Sequence, residues 1–261
     1  MNARVMIGIP TSEFARRADF YDYVDMIEKE GEGIELVGIT RSHGQSPARN
    51  RNVIIETALQ NGFTHILFLD DDVVVRPDII KKLLAHDKDI VTGLYLMRNH
   101  PHFPILFDES YQNNYCRFQI LHKGRRGLVE AVNTGLGACM FKIEVFEKMS
   151  DDKPWIRLGQ IAQEKDHWCD DIEFFNRCRE KYGYKLWCDL ECPVGHMVSG
   201  TVFPMRKDDG TWVTAATFDQ KNIFELPQNT PSEDEVVKGV EDIRQKLSLG
   251  DTKEKVFSGA D

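Results

Sequence analysis

The stretch His65-Ile66-Leu67-Phe68-Leu69-Asp70-Asp71-Asp72 decides the fold. Its apolar part is short and nearly continuous, which predicts a central strand covered on both faces. It runs directly into three carboxylates. In extended backbone alternate side chains share a side, so Asp70 and Asp72 point to one place. Ligands of open α/β sheets collect beyond the carboxyl ends of strands. Two carboxylates there can hold a hard divalent cation, and the cation a diphosphate. The plainer alternative is an acidic turn that caps the helix expected from Pro77, although such turns usually follow polar residues.

The flanking sequence alternates strand and helix. Residues 4–10 form an apolar run ending in Pro10-Thr11-Ser12, and Ile34 to Thr40 reads as a second strand. Between them Phe14, Ala18, Tyr21, Met26 and Ile27 recur at helical spacing. Ser46-Pro47 supplies an N-cap and a first-turn proline for a helix carrying Ile54, Ile55, Ala58 and Leu59 inward. A helix from Pro77-Asp78 and a strand from Ile90 to Met97 follow. The order predicts an α/β, Rossmann-like fold with a mainly parallel central sheet flanked by helices. Short strands are expected at Phe103–Phe107, Tyr115–Leu121 and Leu128–Val132, and Asn133–Gly137 reads as a flexible turn before Ala138-Cys139-Met140-Phe141. A helix at Asp170–Tyr182 and a strand at Lys185–Leu190 come next.

The expected organisation is one domain over 1–214, with a donor half at about 1–98 and an acceptor half at about 99–214. A tail over 215–261 carries one amphipathic helix, with a capping box at Ser232-x-x-Glu235 and a stripe of Val236, Val240, Ile243 and Leu247. That stripe is an expected surface for packing on the body or for a homodimer.

Composition narrows the function. The chain has 261 residues, 41% of them hydrophobic, enough to bury a full core. A net charge of −9 argues against a surface broadly dedicated to polyanions. No apolar run reaches the roughly 18–20 residues that span a bilayer, so no membrane insertion is expected. The segment Val5 to Ile9 is too short for a signal peptide, so the expected location is the cytoplasm. Cys116, Cys139, Cys169, Cys178, Cys188 and Cys192 lack paired zinc-ribbon spacing and read as buried thiols.

Asp170-Asp171-Ile172-Glu173 opens a helix, and dipole compensation alone explains an acidic first turn. The order of parts adds more. Gly8-Ile9-Pro10-Thr11, Ala48-Arg49-Asn50 and the run to Asp72 come first. Gly93-Leu94-Tyr95-x-x-Arg98, Gly135-Leu136-Gly137-Ala138-Cys139-Met140, Pro154-Trp155, Asp170-Asp171-x-x-Phe174 and Gly195-His196 follow. Over roughly residues 4–200 this order resembles the family-A fold (GT-A) of nucleotide-sugar glycosyltransferases, in particular compact members of the bacteriophage type.

The resemblance implies that Asp70, Asp72 and His196 bind a metal, Mn2+ or Mg2+. It implies that Thr11, Arg49, Asp71 and Arg98 contact a nucleotide diphosphate sugar donor. Asp171 would deprotonate the acceptor hydroxyl in an inverting reaction. Asp170 stands where such proteins often carry Glu, which leaves its catalytic role open. Tyr95, Trp155 and Trp168 would stack on sugar or base, or belong to the core.

The acceptor is not written in the sequence. Bacteriophage-type members imply hydroxymethylated pyrimidines in DNA, within a host cytoplasm, or else polysaccharide or protein. DNA would need a basic rim, for which Arg98, Lys123, Arg125, Arg126 and Arg206 are candidates. Two other classes fit parts of the pattern. An apolar strand before Asp-x-Asp also resembles the nucleophile motif of Mg-dependent haloacid dehalogenase-type phosphatases, although two strands precede it here. An inactive sugar- or nucleotide-binding module on the same fold is the third.

Overall fold

Alternate residues of His65–Leu69 face two different cores, which makes this strand the spine of the molecule. Ile66 and Phe68 pack into one cluster with Ile54, Phe141, Phe146 and Phe174. Leu67 and Leu69 pack into the other with Val5, Ile7, Ile79 and Met140. Each such side chain, fully buried, contributes about 1.5–3 kcal/mol. The computed structural model describes residues 2–11, 24–25, 27, 34–98, 102–112, 115–118, 121, 123–157, 170–198, 201–217 and 224–225. The chain divides into two compact units, Met1–Leu226 and Pro227–Asp261, and every described residue lies in the first.

Elements in chain order are β1 (Arg4–Pro10), β2 (Leu36–Ser42), α1 (Pro47–Gln60), β3 (His65–Leu69), β4 (Val73–Val74), α2 (Ile79–Ala85) and β5 (Ile90–Leu94). Then come β6 (Leu106–Gln112), β7 (Tyr115–Phe118), β8 (Leu128–Ala131), β9 (Asn133–Thr134), β10 (Ala138–Lys142), α3 (Ile143–Lys148) and α4 (Asp170–Glu180). The remainder is β11 (Leu186–Pro193), β12 (Gly195–Met197), β13 (Thr201–Arg206), β14 (Trp212–Thr217) and β15 (Phe224–Glu225).

The central sheet has seven strands in the order β2-β1-β3-β10-β5-β11-β8. Strands β1, β2, β3, β5 and β11 run one way, whereas β10 and β8 run against their neighbours. The expected α/β architecture is therefore present, with a mainly parallel sheet and two reversed strands. The reversal of β10 brings the chain back into the sheet beside the end of β3, which positions the site. A second sheet, β15-β14-β13-β12-β4, grows from the short strand just after the acidic triplet. Its hairpin of β13 and β14 was not anticipated from sequence, and β14 runs through residue 214, where the domain was expected to end.

Helix α1 starts as its sequence dictates, with the Ser46 side chain accepting from the Arg49 amide and Pro47 in the first turn. Strand β2 lies two residues later than expected, and β5 stops at Leu94 rather than Met97. Of the helix expected around Phe14–Ile27, only Val24, Asp25 and Ile27 are described, and they are helical. The tail helix at 232–248 lies outside the described residues. None of the described helices is long and apolar enough to cross a membrane. Cys139, Cys178, Cys188 and Cys192 are buried free thiols, as expected. Burial pushes all four above the usual thiol range. Cys169 and the Cys116 side chain lie outside the described set.

Candidate active site

Four segments deliver polar side chains to the carboxyl end of β3. The Asp70 amide donates to the Gly137 carbonyl at 2.9 Å, which ties the triplet to the loop ahead of β10. The Met197 amide donates to the Asp72 carbonyl at 2.7 Å. Antiparallel pairing of β12 with β4 sets His196 opposite Val73. The Leu136 amide donates to Asp171 Oδ2 at 3.3 Å, which joins the start of α4 to the same loop. Residues far apart in sequence thus meet where α/β sheets bind ligands.

Asp72 and His196 form one half of the site. His196 Nδ1 lies 2.8 Å from the Leu96 carbonyl oxygen. A carbonyl can only accept, so Nδ1 carries a hydrogen, and in the neutral tautomer the lone pair is then on Nε2. Nε2 faces Asp72 Oδ2 at 3.5 Å. A lone pair opposed to a carboxylate oxygen favours a cation beside both, and the guanidinium of Arg98 contacts the same Asp72 oxygen. Asp71 is buried.

Arg51, Asp70 and Asp171 form the other half. The Arg51 guanidinium is buried, with Nη2 2.5 Å from Asp70 Oδ1 and Nη1 3.9 Å from Asp171 Oδ1. Burial lifts the Asp171 carboxyl to about 6, and the nearby Asp70 charge raises it too, while Arg51 and the Leu136 amide hold it down. The Asp170 carboxyl is also raised, first by burial. Tyr95 is buried beside them, its hydroxyl accepting from the Gly137 amide at 3.1 Å. Burial and then the two carboxylates push the phenol well above its usual value, so it stays un-ionised at neutral pH. The loop can come this close only because Gly137 lacks a side chain: a Cβ there would stand 3.0 Å from Asp70 Oδ2 and 3.2 Å from the Tyr95 hydroxyl.

The expected metal set is therefore divided. Asp72 and His196 come together, whereas the buried guanidinium of Arg51 draws the Asp70 carboxylate to itself. Among the described residues no three His, Cys, Asp or Glu side chains converge as a metal-binding group. The oxygen and nitrogen donors of Asp72 and His196 suit a borderline divalent ion, and they supply two ligands.

The expected donor contacts lie along the same sheet edge. Thr11 follows β1 directly, its amide donating to the Ser42 carbonyl at 2.8 Å. Buried Asn50 donates to the Thr11 carbonyl at 3.2 Å and accepts from the Ser42 hydroxyl at 3.2 Å. Arg49 is exposed in the first turn of α1. Of the stacking candidates, Trp155 is core: it is 1% exposed and its indole donates to the Phe146 carbonyl at 2.8 Å. The Tyr95 ring sits edge-on to His196 at 6.0 Å. Trp168 lies outside the described residues.

The proposed basic rim is scattered. Arg98 is at Asp72, Lys123 pairs with Asp209 at 3.2 Å, and Arg206 with Glu191 at 3.2 Å. Arg125 and Arg126 flank the turn that bonds to Gly210 through Gly124. For the phosphatase alternative, Asp70 would have to attack phosphorus, yet its carboxylate is engaged by Arg51.

Sequence reasoning missed Arg51, and a signal for it existed. Ala48, Arg51, Ile54, Ile55 and Ala58 share the buried face of α1, so a guanidinium stands in an apolar stripe. The role of the Tyr95 hydroxyl had no sequence signal, because it depends on loop approach.

Comparison with known proteins places the fold. The Anp1 family model matches residues 16–114, less than half of the chain. No curated protein matches it. Among solved structures, A197 from STIV is 16% identical, over 88% of this chain and 97% of its own, at a TM-score of 0.50. A 4-diphosphocytidyl-2C-methyl-D-erythritol synthase is 10% identical over 73% of this chain and 90% of its own, TM-score 0.41. HddC from Yersinia pseudotuberculosis, complexed with GMP-PN, is 12% identical over 74% and 92%, TM-score 0.40. The fold is the GT-A-like, Rossmann-type architecture that the order of motifs implied.

Proposed function

We propose that this protein is a glycosyltransferase that moves a sugar from a nucleotide diphosphate donor to an acceptor hydroxyl. The observation that carries the reading is the meeting of Asp70, Asp72, His196 and Asp171 at one strand end, with the Asp171 carboxyl lifted to about 6. A carboxylate that titrates near neutrality is a more effective proton acceptor than an ordinary aspartate.

Thr11 and Arg49 line the nucleotide, and Asp71 contacts the donor. Arg98 exchanges its contact with Asp72 for the diphosphate, to which a guanidinium can bind in bidentate fashion. Asp72 and His196 would hold a divalent ion, with Oδ2 of Asp70 as the third ligand while its Oδ1 stays on Arg51. When bound, that ion offsets charge gained by the departing nucleoside diphosphate. Its mixed ligand set suits manganese. Asp171 removes the acceptor proton from the face opposite the leaving group, which implies inversion at the anomeric carbon. Asp170 borders the acceptor.

The acceptor we put first is a hydroxymethylated pyrimidine in DNA, with polysaccharide and protein hydroxyls as the arms of comparison. The carboxylate partners of Lys123 and Arg206 leave little free cationic surface there, so few phosphates are neutralised and DNA binding should be weak, with a shallow salt dependence. The test of the donor reading is a thermal-shift screen of nucleoside diphosphates and nucleotide sugars, each with and without manganese. A ligand present at 100 times its Kd adds about 2.7 kcal/mol to stability. A shift that needs both nucleotide and manganese supports the reading; no shift with any nucleotide sinks it.

A further inference from the structure

Helix α1 carries one charged side chain where its buried face should be apolar. Arg51 is 4% exposed among Ala48, Ile54, Ile55 and Ala58. A hydrophobic residue of similar volume would bind the helix to the sheet at least as well, because burying a guanidinium costs desolvation that pairing seldom repays in full. The price is incomplete here too, since Arg51 Nε is buried with no hydrogen-bond partner. Packing therefore gives no reason for arginine at this position.

Its two other nitrogens reach two different jobs. Nη2 is 2.5 Å from Oδ1 of Asp70, on the donor side, and Nη1 is 3.9 Å from Oδ1 of Asp171, on the acceptor side. Each aspartate is also held by the loop ahead of β10. Asp171 Oδ2 accepts from the Leu136 amide, and the Asp70 amide donates to the Gly137 carbonyl. The guanidinium and the loop thus form a clamp that fixes where one aspartate stands relative to the other.

We propose that Arg51 is a positioning residue that holds Asp171, together with Asp70, at the separation required for attack of the acceptor on the donor. This rests on the glycosyltransferase reading, in which Asp171 takes the acceptor proton. Arg51 makes and breaks no bond itself. Its planar fork spans two carboxylates, which the single ammonium of lysine cannot do.

Arg51→Lys keeps the charge and is the variant chosen to fold. Arg51→Lys, Asp171→Asn and the double variant are compared with the parent chain in two assays. One is thermal unfolding. The other is release of nucleoside diphosphate from uridine, guanosine and thymidine diphosphate sugars with manganese, water standing in for the acceptor. Arg51→Lys should lower the turnover number by roughly 10²-fold, the scale of a small misplacement, while the donor KM stays within about threefold. The double variant should turn over no more slowly than Asp171→Asn alone, and the two substitutions should be non-additive in the unfolding midpoint. Parent-like turnover of Arg51→Lys with a lowered midpoint would make Arg51 a structural residue only and overturn the proposal. So would additive losses in the double variant. If the parent chain releases nothing from any donor, the glycosyltransferase reading fails by itself. The unfolding cycle then still decides whether Arg51 holds Asp171: coupling supports it and additivity overturns it.

Discussion

Replacing Asp171 with asparagine should make the protein more stable and nearly inactive, and the structure sets the scale of both effects. The carboxyl titrates near 6 in the folded chain against an ordinary 3.8, and burial is the main cause. At about 1.4 kcal/mol per pH unit, the ionised group costs at most roughly 3 kcal/mol of stability above that pH, and less because the side chain is 28% exposed and water screens it. The sign follows from proton counting. Between about 4 and 6 the folded chain holds a proton that the unfolded chain has released, so this group's contribution falls as pH rises, then levels off. Asparagine never ionises, and its carbonyl can still accept from the Leu136 amide. It forfeits a favourable charge at the start of α4, worth about 0.3–1 kcal/mol, while the attraction to Arg51 is already counted in the net shift. Asp171→Asn should therefore match the parent near pH 4 and exceed it by about 1–3 kcal/mol at pH 8 in urea unfolding. Turnover at pH 8 should fall by roughly 10²–10⁴-fold if the carboxylate accepts the acceptor proton. A variant destabilised by more than about 1 kcal/mol at pH 8, or one with parent-like turnover, would refute this. It would leave Asp171 a helix cap and favour a retaining mechanism with no enzymic base here.

Four further outcomes are expected. In the parent enzyme the turnover number should rise with pH up to about 6, as Asp171 ionises, and then plateau; a rate already at its maximum at pH 4.5 would contradict a base at that position. Chelator should abolish donor turnover and manganese restore it best, with Asp72→Asn and His196→Ala each weakening manganese-dependent donor binding in calorimetry. Full turnover in excess chelator would remove the metal. Gly137→Ala should cost about 1–3 kcal/mol in thermal unfolding, because its Cβ meets Asp70 and the Tyr95 hydroxyl. Gly135→Ala should cost more, since there the Tyr95 hydroxyl is nearer still. Intact-mass analysis after incubation with donor should find no phosphate on Asp70, and an aspartyl-phosphate would restore the phosphatase reading.

Much of this architecture was legible because a few local signals agree with the global fold. The apolar run Ile66 to Leu69 reads as a two-sided strand, and Ser46-Pro47 as the start of a helix, and both agree with the fold. Sequence did not reveal that Ala138–Lys142 would run antiparallel between β3 and β5. Direction within a buried sheet leaves no mark on a near-continuous apolar segment. The β13–β14 hairpin was missed for a related reason: its burial alternates only partly, and Pro204 interrupts the strand pattern.

The site was legible by position more than by partnership. Alternation of side chains placed Asp70 and Asp72 on one side of an extended chain. The structure instead sends Asp70 to Arg51 and Asp72 to His196 and Arg98. That choice is made by a guanidinium arriving from α1, nineteen positions away. Arg49 drew attention through a motif, while Arg51 carries the contacts, and only the helical face distinguishes them.

The central claim is sugar transfer from a nucleotide diphosphate, and product analysis tests it most directly. The purified chain is incubated with nucleotide sugars and manganese, and the phosphorus-containing products are followed by 31P NMR. The account predicts intact nucleoside diphosphate, released only with manganese and almost absent in Asp171→Asn. Orthophosphate or nucleoside monophosphate as the first product, or release unchanged in Asp171→Asn, would contradict it.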